Sequence, residues 1–215
     1  MATLKWRTAG DTGPVNGKEE EKNVKESVKA PQKRLSLRAN FSWTFAGNVV
    51  NAGSWFAKEF AGESIPCLKE VLNTFGGQLR LNLELKDFRA GMAVLELLAQ
   101  YPSAEIVVSS FNYDLLRRLR FADGHLPLAV LFESGNWRHA VKTARDLSAC
   151  AFHPAVNLVT RPMLAACTLA GLPVFVWTVD HACAARSLVR AGVSGLFTND
   201  PATLSTVFQS PEFLT

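Results

Sequence analysis

From about Ser64 onward the chain repeats one rhythm: a short apolar run, a turn, then a stretch with apolar residues at helical spacing. Such alternation is satisfied by a parallel sheet whose crossovers are helices, because each strand needs a long return before it can pair with the next. The spacing predicts strands at Leu79–Lys86, Glu105–Ser110, Leu126–Phe132, Ala149–His153, Pro173–Val179 and Gly195–Thr198. Helices are expected at Leu68–Phe75, Ala90–Gln100, Tyr113–Arg120, Trp137–Leu147, Arg161–Ala170, His181–Ala191 and Ala202–Phe208. Thr160 is placed to cap the helix that starts at Arg161. Gly171 and Gly192 suit the left-handed position just after a helix. Asn199 or Asp200 would cap the last helix, with Pro201 as its first residue.

The fold class expected is therefore α/β, a TIM-type (β/α) barrel that is incomplete. About six βα units are legible, whereas a closed eight-stranded barrel usually takes about 250 residues and this chain has 215. With the first two strands missing, two sheet edges would be left with unpaired N–H and C=O groups. Only the first 60 or so residues remain to cover them. Met1–Gly17 is polar and turn-rich, Lys18–Arg38 is charged, and Asn40–Val50 is aromatic enough for one strand. No pair of buried parallel strands is legible there. The expected division is an atypical, largely disordered segment over residues 1–51, with a charged insertion, and a barrel domain over 52–215.

Charge belongs mostly to that first part. The chain carries a net +4. Between Gly17 and Asn40 lie Lys18, Lys22, Lys25, Lys29, Lys33, Arg34 and Arg38 against Glu19, Glu20, Glu21 and Glu26. The stretch has no interleaved aromatics for stacking bases, so a solvated segment is expected and no nucleic-acid partner. No apolar run reaches the roughly 18 residues of a membrane span, and Met1–Gly10 does not read as a secretory signal, so a cytoplasmic location is expected. Cys67, Cys150, Cys167 and Cys183 show no zinc-like spacing and are expected as reduced thiols, mostly buried.

One strand is chemically unusual. Leu79–Lys86 reads LRLNLELK, with Leu79, Leu81, Leu83 and Leu85 on one face and Arg80, Asn82, Glu84 and Lys86 on the other. A barrel strand buries both faces and normally reads apolar throughout. The leucines should pack outward against helices, and the polar face should point into the barrel. Glu84 and Lys86 are ~6.6 Å apart along the strand at ~3.3 Å per residue. They sit at its C-terminal end, where barrel active sites form. A carboxylate suits a hard cation, and an ammonium suits phosphate oxygens. A satisfied internal ion pair or a solvated edge strand would read the same way.

Several strings resemble one family in the right order: AGSWFAKEFAGESIPCLKEVL (Ala52–Leu72), LNLELK (Leu81–Lys86), VVSSFN (Val107–Asn112), VFVWTVD (Val174–Asp180) and GVSGLFTNDP (Gly192–Pro201). They are similar to segments of the glycerophosphodiester phosphodiesterases. That resemblance implies a (β/α)₈ barrel that uses a divalent cation, Mg²⁺ or Ca²⁺, to hydrolyse glycerophosphodiesters to glycerol 3-phosphate and an alcohol. It implies a metal-binding role for Glu84, a phosphate-side role for Lys86 and a substrate-lining role for Trp177. Ser109, Ser110 and Phe111 match the family string, but serines at a strand end are more often structural hydrogen-bonders.

The family's His-Arg-Gly, Glu-x-Asp and His-Asp motifs are absent. The histidines are His125, His139, His153 and His181, none before Arg-Gly or Asp. TLKWRTAGDTGPVNGK (Thr3–Lys18) resembles the stretch that follows the family's His-Asp dipeptide, whereas Glu19–Asn51 resembles no family segment. The chain thus reads as an N-terminally truncated member with an insertion and no assigned catalytic residue. Two functions are expected in competition: a phosphodiesterase impaired or inactive as this chain, and a non-catalytic module that self-associates or pairs with a partner through open sheet edges. An unrelated phosphate-binding barrel is a third reading.

Overall fold

The computed structural model describes residues 2–5, 34–40, 53–54 and 57–207. Its core is a run of βα units. In chain order the strands are β1 (Ala2–Lys5), β2 (Arg34–Asn40), β3 (Arg80–Glu84), β4 (Ile106–Ser110), β5 (Leu128–Phe132), β6 (Ala151–Pro154), β7 (Phe175–Val176) and β8 (Gly195–Thr198). The helices are α1 (Leu68–Phe75), α2 (Phe88–Leu98), α3 (Tyr113–Ala122), α4 (Trp137–Asp146), α5 (Arg161–Leu169), α6 (Ala182–Arg190) and α7 (Pro201–Val207). Every segment expected from Leu68 onward is present in its expected class. The strand expected at Pro173–Val179 is reduced to two residues.

The local signals act where they were read. The Thr160 hydroxyl accepts from the Met163 N–H at 3.4 Å, and Gly171 and Gly192 adopt φ +62° and +88°. A side chain there would be driven into the left-handed region, which favours glycine. Capping by a short polar side chain recurs at Asp87, Asn112 and Asn136, which accept from the first-turn amides of α2, α3 and α4.

The eight strands lie in the order β6-β5-β4-β3-β2-β1-β8-β7. From β2 through β6 the neighbours are parallel, with Glu84 opposite Ser109 and Leu131 opposite His153. The order curls back on itself, but the sheet is not closed by a full ladder. Between β6 and β7 stand two isolated parallel bridges, Phe152 with Val174 and Ala155 with Trp177.

The first 40 residues correct one expectation. The edges of β3 and β8 are covered by a strand pair within them. β2 runs parallel to β3 over Ser36–Asn40, and β1 bridges β2 to β8, antiparallel to both. The charged stretch thus contains a strand at its end. The expected strand at Asn40–Val50 falls, beyond Asn40, outside the described residues. Backbone pairing explains the outcome: a barrel gap leaves two rows of orphan donors and acceptors, and any segment that fills them recovers those bonds.

Two apolar layers complete the packing. Leu81, Leu83, Leu85, Val108, Leu128 and Val130 are buried on the outer face of the sheet with Leu115, Leu116 and Leu119 of α3 and Val141 and Ala144 of α4. Gly91 lets α2 approach α3 closely: a Cβ there would lie 2.9 Å from Leu115 Cδ1 and 3.3 Å from Leu119 Cδ2. Of the cysteines, only Cys167 is buried, and burial pushes its thiol up to about 11. Cys67, Cys150 and Cys183 are exposed thiols rather than buried ones, outside any disulfide.

Candidate functional site

The alternation in LRLNLELK decides the inside of the sheet. Leu81, Leu83 and Leu85 are buried toward the helices, and Asn82 and Glu84 are buried between them, 5% and 3% exposed. Alternate residues of a strand point to opposite faces, so Asn82 and Glu84 occupy the interior. Arg80, at the strand's start, leaves the interior to pair with Glu105 at 2.6 Å. Lys86 lies two residues beyond Glu84, past the end of β3, and is exposed. The strand therefore delivers a buried carboxylate at its C-terminal end, followed two residues later by an exposed lysine.

Trp177 follows β7 on the far side of the ring. In the strand order β7 stands four positions from β3 in either direction, so Glu84 and Trp177 come from opposite walls. The Trp177 indole Nε1 donates to the His153 carbonyl at 2.7 Å. Its ring meets Phe111, at the end of β4, edge-on with centroids 5.6 Å apart. Both rings are half-buried at strand C-terminal ends. The three residues singled out in the sequence thus share one end of the sheet, with Glu84 inside and Lys86 and Trp177 at the mouth.

The serines divide. Ser110 is structural: its hydroxyl donates to the Leu85 carbonyl at 2.6 Å and accepts from the Asn112 N–H at 3.0 Å. Ser109 is fully buried, stands in register with Glu84, and its Oγ has no hydrogen-bond partner. Asn82 is alike, with neither amide atom bonded. Sequence reasoning named Asn82 only as part of a polar face. The signal was its place in the same alternation as Glu84.

His153 packs in the interior, with its ring 4.9 Å from Phe197 and 5.6 Å from Phe175, edge-on to both. It belongs to an aromatic layer below the mouth. The other described histidines, His125, His139 and His181, are exposed, as expected for loop and helix-surface residues.

A residue that sequence reading passed over ties the last two loops together. Asp180, after β7, accepts from the Asn199 N–H at 2.7 Å, from the Thr198 hydroxyl at 2.9 Å and from the Asn199 side-chain amide at 3.0 Å. The Asn199 backbone bond, helped by the two side-chain donors, holds its carboxyl below the usual carboxylate range. The Asn199 side chain is thereby committed to Asp180 rather than to capping α7. The Thr198 hydroxyl also accepts from the Asp200 N–H at 3.0 Å.

The donor set for a cation is thin. A hard divalent ion takes about six to eight oxygens, several of them from carboxylates. Among the described residues no three His, Cys, Asp or Glu side chains gather into a metal-holding group. Glu84 is one buried carboxylate, and one carboxylate does not make that shell. The described residues therefore do not fit a tightly held divalent ion.

Known proteins match the same region. The family model for glycerophosphoryl diester phosphodiesterases matches residues 20–203, and so takes in most of the stretch Glu19–Asn51, which was expected to match no family segment. A glycerophosphodiester phosphodiesterase of Caldanaerobacter subterraneus is 30% identical over 165 residues, 72% of this chain and 66% of that protein. One of Bacillus subtilis is 25% identical over 174 residues, 71% of this chain and 59% of that protein. The chain thus spans less than two thirds of the length of these curated relatives. Among solved structures, a phosphodiesterase of Oleispira antarctica in complex with the product sn-glycerol-3-phosphate superposes with a TM-score of 0.65 at 24% identity, over 74% of this chain and 68% of that one. A glycerophosphodiester phosphodiesterase of Thermotoga maritima superposes with a TM-score of 0.59 at 22% identity, over 71% and 67%.

Proposed function

The chain belongs to the glycerophosphoryl diester phosphodiesterase family, and from that premise we propose that it keeps the phosphate-side wall of the family's site while hydrolysing diesters poorly or not at all. The observation that carries this reading is the placement of Glu84: a carboxylate buried at the C-terminal end of β3, with Lys86 exposed two residues further along the chain. In this reading Glu84 is the surviving cation ligand, Lys86 attracts phosphate oxygens and Trp177 lines the mouth for a glycerophosphodiester. The glycerol 3-phosphate bound in the Oleispira relative supports that ligand class.

Impairment follows from what the sequence lacks. General acid–base catalysis is worth about 10²–10⁴-fold, and no histidine stands in a family motif. A lone carboxylate also leaves any divalent cation weakly held. A cytoplasmic site of action belongs to the same reading. The reduced thiols, three of them exposed, suit a reducing compartment. Among the described residues no helix is long and apolar enough to cross a membrane. Self-association through open sheet edges is the weaker reading, because β1 and β2 occupy the edges of β3 and β8.

Turnover of glycerophosphocholine with Mg²⁺ or Ca²⁺ tests the proposal. The expected rate is at least about 10²-fold below that of a relative carrying all three family motifs. A rate comparable to that relative, abolished by Glu84→Ala, overturns it.

A further inference from the structure

The outer ring of helices carries its charge unevenly. On α3 and α4 a basic side chain finds an acid within its own helix, Arg117 with Asp114 and Lys142 with Asp146, each at 2.6 Å. The next two helices hold no such acid: neither Arg161–Leu169 nor Ala182–Arg190 contains an Asp or a Glu. α5 joins β6 to β7 and α6 joins β7 to β8. The two helices therefore flank β7, the shortest strand, which meets β6 only through isolated bridges.

Between them runs a groove of about 830 Å³. Each helix turns one face to it, with residues at three- and four-residue spacing: Arg161 and Leu164 of α5, and Cys183, Arg186 and Arg190 of α6. Leu164, buried, and Leu188, half-buried, supply apolar surface at its base. Arg161 is exposed and Arg186 half-buried. Neither meets a carboxylate among the described residues, and no Asp or Glu lines the groove. The result is a concave surface with charge of one sign on both walls.

That charge and that shape select an occupant. A lipid surface is flat and does not follow a concavity between two helices. A single phosphate fills a small part of such a volume. An extended peptide sends successive side chains to opposite sides, so one chain laid along the groove brings carboxylates to both walls while its aliphatic side chains cover the base. The planar guanidinium of arginine matches a carboxylate with two parallel hydrogen bonds. We propose that the α5–α6 groove docks an extended acidic segment of a partner protein, with its carboxylates on Arg161 and Arg186. Glu84, Lys86 and Trp177 do not line the groove, so the surface stands or falls independently of the phosphodiester reading.

Fluorescence anisotropy of the full chain with a labelled Glu-Glu-Leu-Glu-Glu-Leu peptide tests it, with Gln in place of every Glu as the neutral comparator. Saturable binding of the acidic peptide is expected, with the neutral one at least about fivefold weaker. Arg161→Gln and Arg186→Gln should each weaken the acidic peptide about two- to fivefold, as exposed ion pairs do, with Tm unchanged. Raising NaCl from about 0.05 M to about 0.5 M should weaken it several-fold through screening. The wild-type chain supplies a readout that needs no variant. Cys183 lines the groove and its thiol is exposed, so the peptide should slow its alkylation by iodoacetamide while Cys67 and Cys150 react as before. Absence of saturable binding, equal affinity for the neutral peptide, wild-type affinity in both variants, or an unchanged Cys183 rate would each overturn the proposal. Full displacement by equimolar inorganic phosphate would reduce the groove to a small-anion site. Binding to vesicles of equimolar phosphatidylserine and phosphatidylcholine, lost in the same variants, would assign it to a lipid surface. Either of these results overturns the proposal as well.

Discussion

At the scale of single residues, Asn82 in the interior of β3 is the least satisfied polar side chain among the described residues. Asn82 presents two unbonded amide atoms in a shielded position, so Asn82→Leu should stabilise the fold by about 1–2 kcal/mol, read as a rise of several degrees in Tm. An unchanged or lower Tm would show that the amide has a partner in solution. Asp180 makes the opposite case. Its folded carboxyl lies below the unfolded value near 3.9, so its contribution is present above that value and fades as pH falls through the folded one. Asp180→Ala should lower Tm at pH 7 by the equivalent of about 1 kcal/mol, kept small by solvent exposure. The gap between wild type and variant should narrow in scans carried below about pH 4. How much of this was legible depended on the kind of cause. The burial of Glu84 follows from alternation alone, because a period of two sends every second side chain inward. The Asp180 cluster does not, because its three donors come from another loop that sequence order cannot bring near.

Elements were legible wherever a local signal existed. The helix starts at Thr160 and Asn136 and the turns at Gly171 and Gly192 each follow from one residue's chemistry. The two-residue β7 was over-read. Its sequence, PVFVWTV, is apolar except for Thr178, but only Phe175 and Val176 find ladder partners on β8, since strand length is set by the neighbour as well as by the strand itself. The α2–α3 contact supplies a test at this scale. Gly91 brings the helices together at a distance a Cβ would crowd against Leu115 and Leu119, and Arg118 lies 4.6 Å over the Phe88 ring. Gly91→Val should cost about 1–3 kcal/mol by overpacking, measured by urea unfolding with an unchanged m-value. A neutral result would mean that the leucine side chains swing aside.

For the whole molecule, β1 and β2 convert six recognisable units into an eight-stranded sheet. They escaped sequence reading although RLSLRAN alternates Leu35, Leu37 and Ala39 with polar residues as β3 does, because the stretch was read for its charge. Their bonds are backbone ones, made to partners that were already strands. A proline at Thr3 would remove an amide hydrogen, and with it a ladder hydrogen bond, from a strand paired on both sides. Thr3→Pro should therefore speed hydrogen exchange in β2 and β8 while leaving β4–β6 protected. Uniform loss of protection would mean that the ring unfolds as one unit. The direction of β1 carries a last consequence. Seven of the staves hand their chain upward to the rim where Glu84 and Trp177 stand, while this one enters from the rim and leaves through the floor. Rewriting letters within Ala2–Lys5 cannot lend it an upward-facing exit loop. Giving this wall the chemistry its neighbours could use would require threading the stave through its slot the other way round.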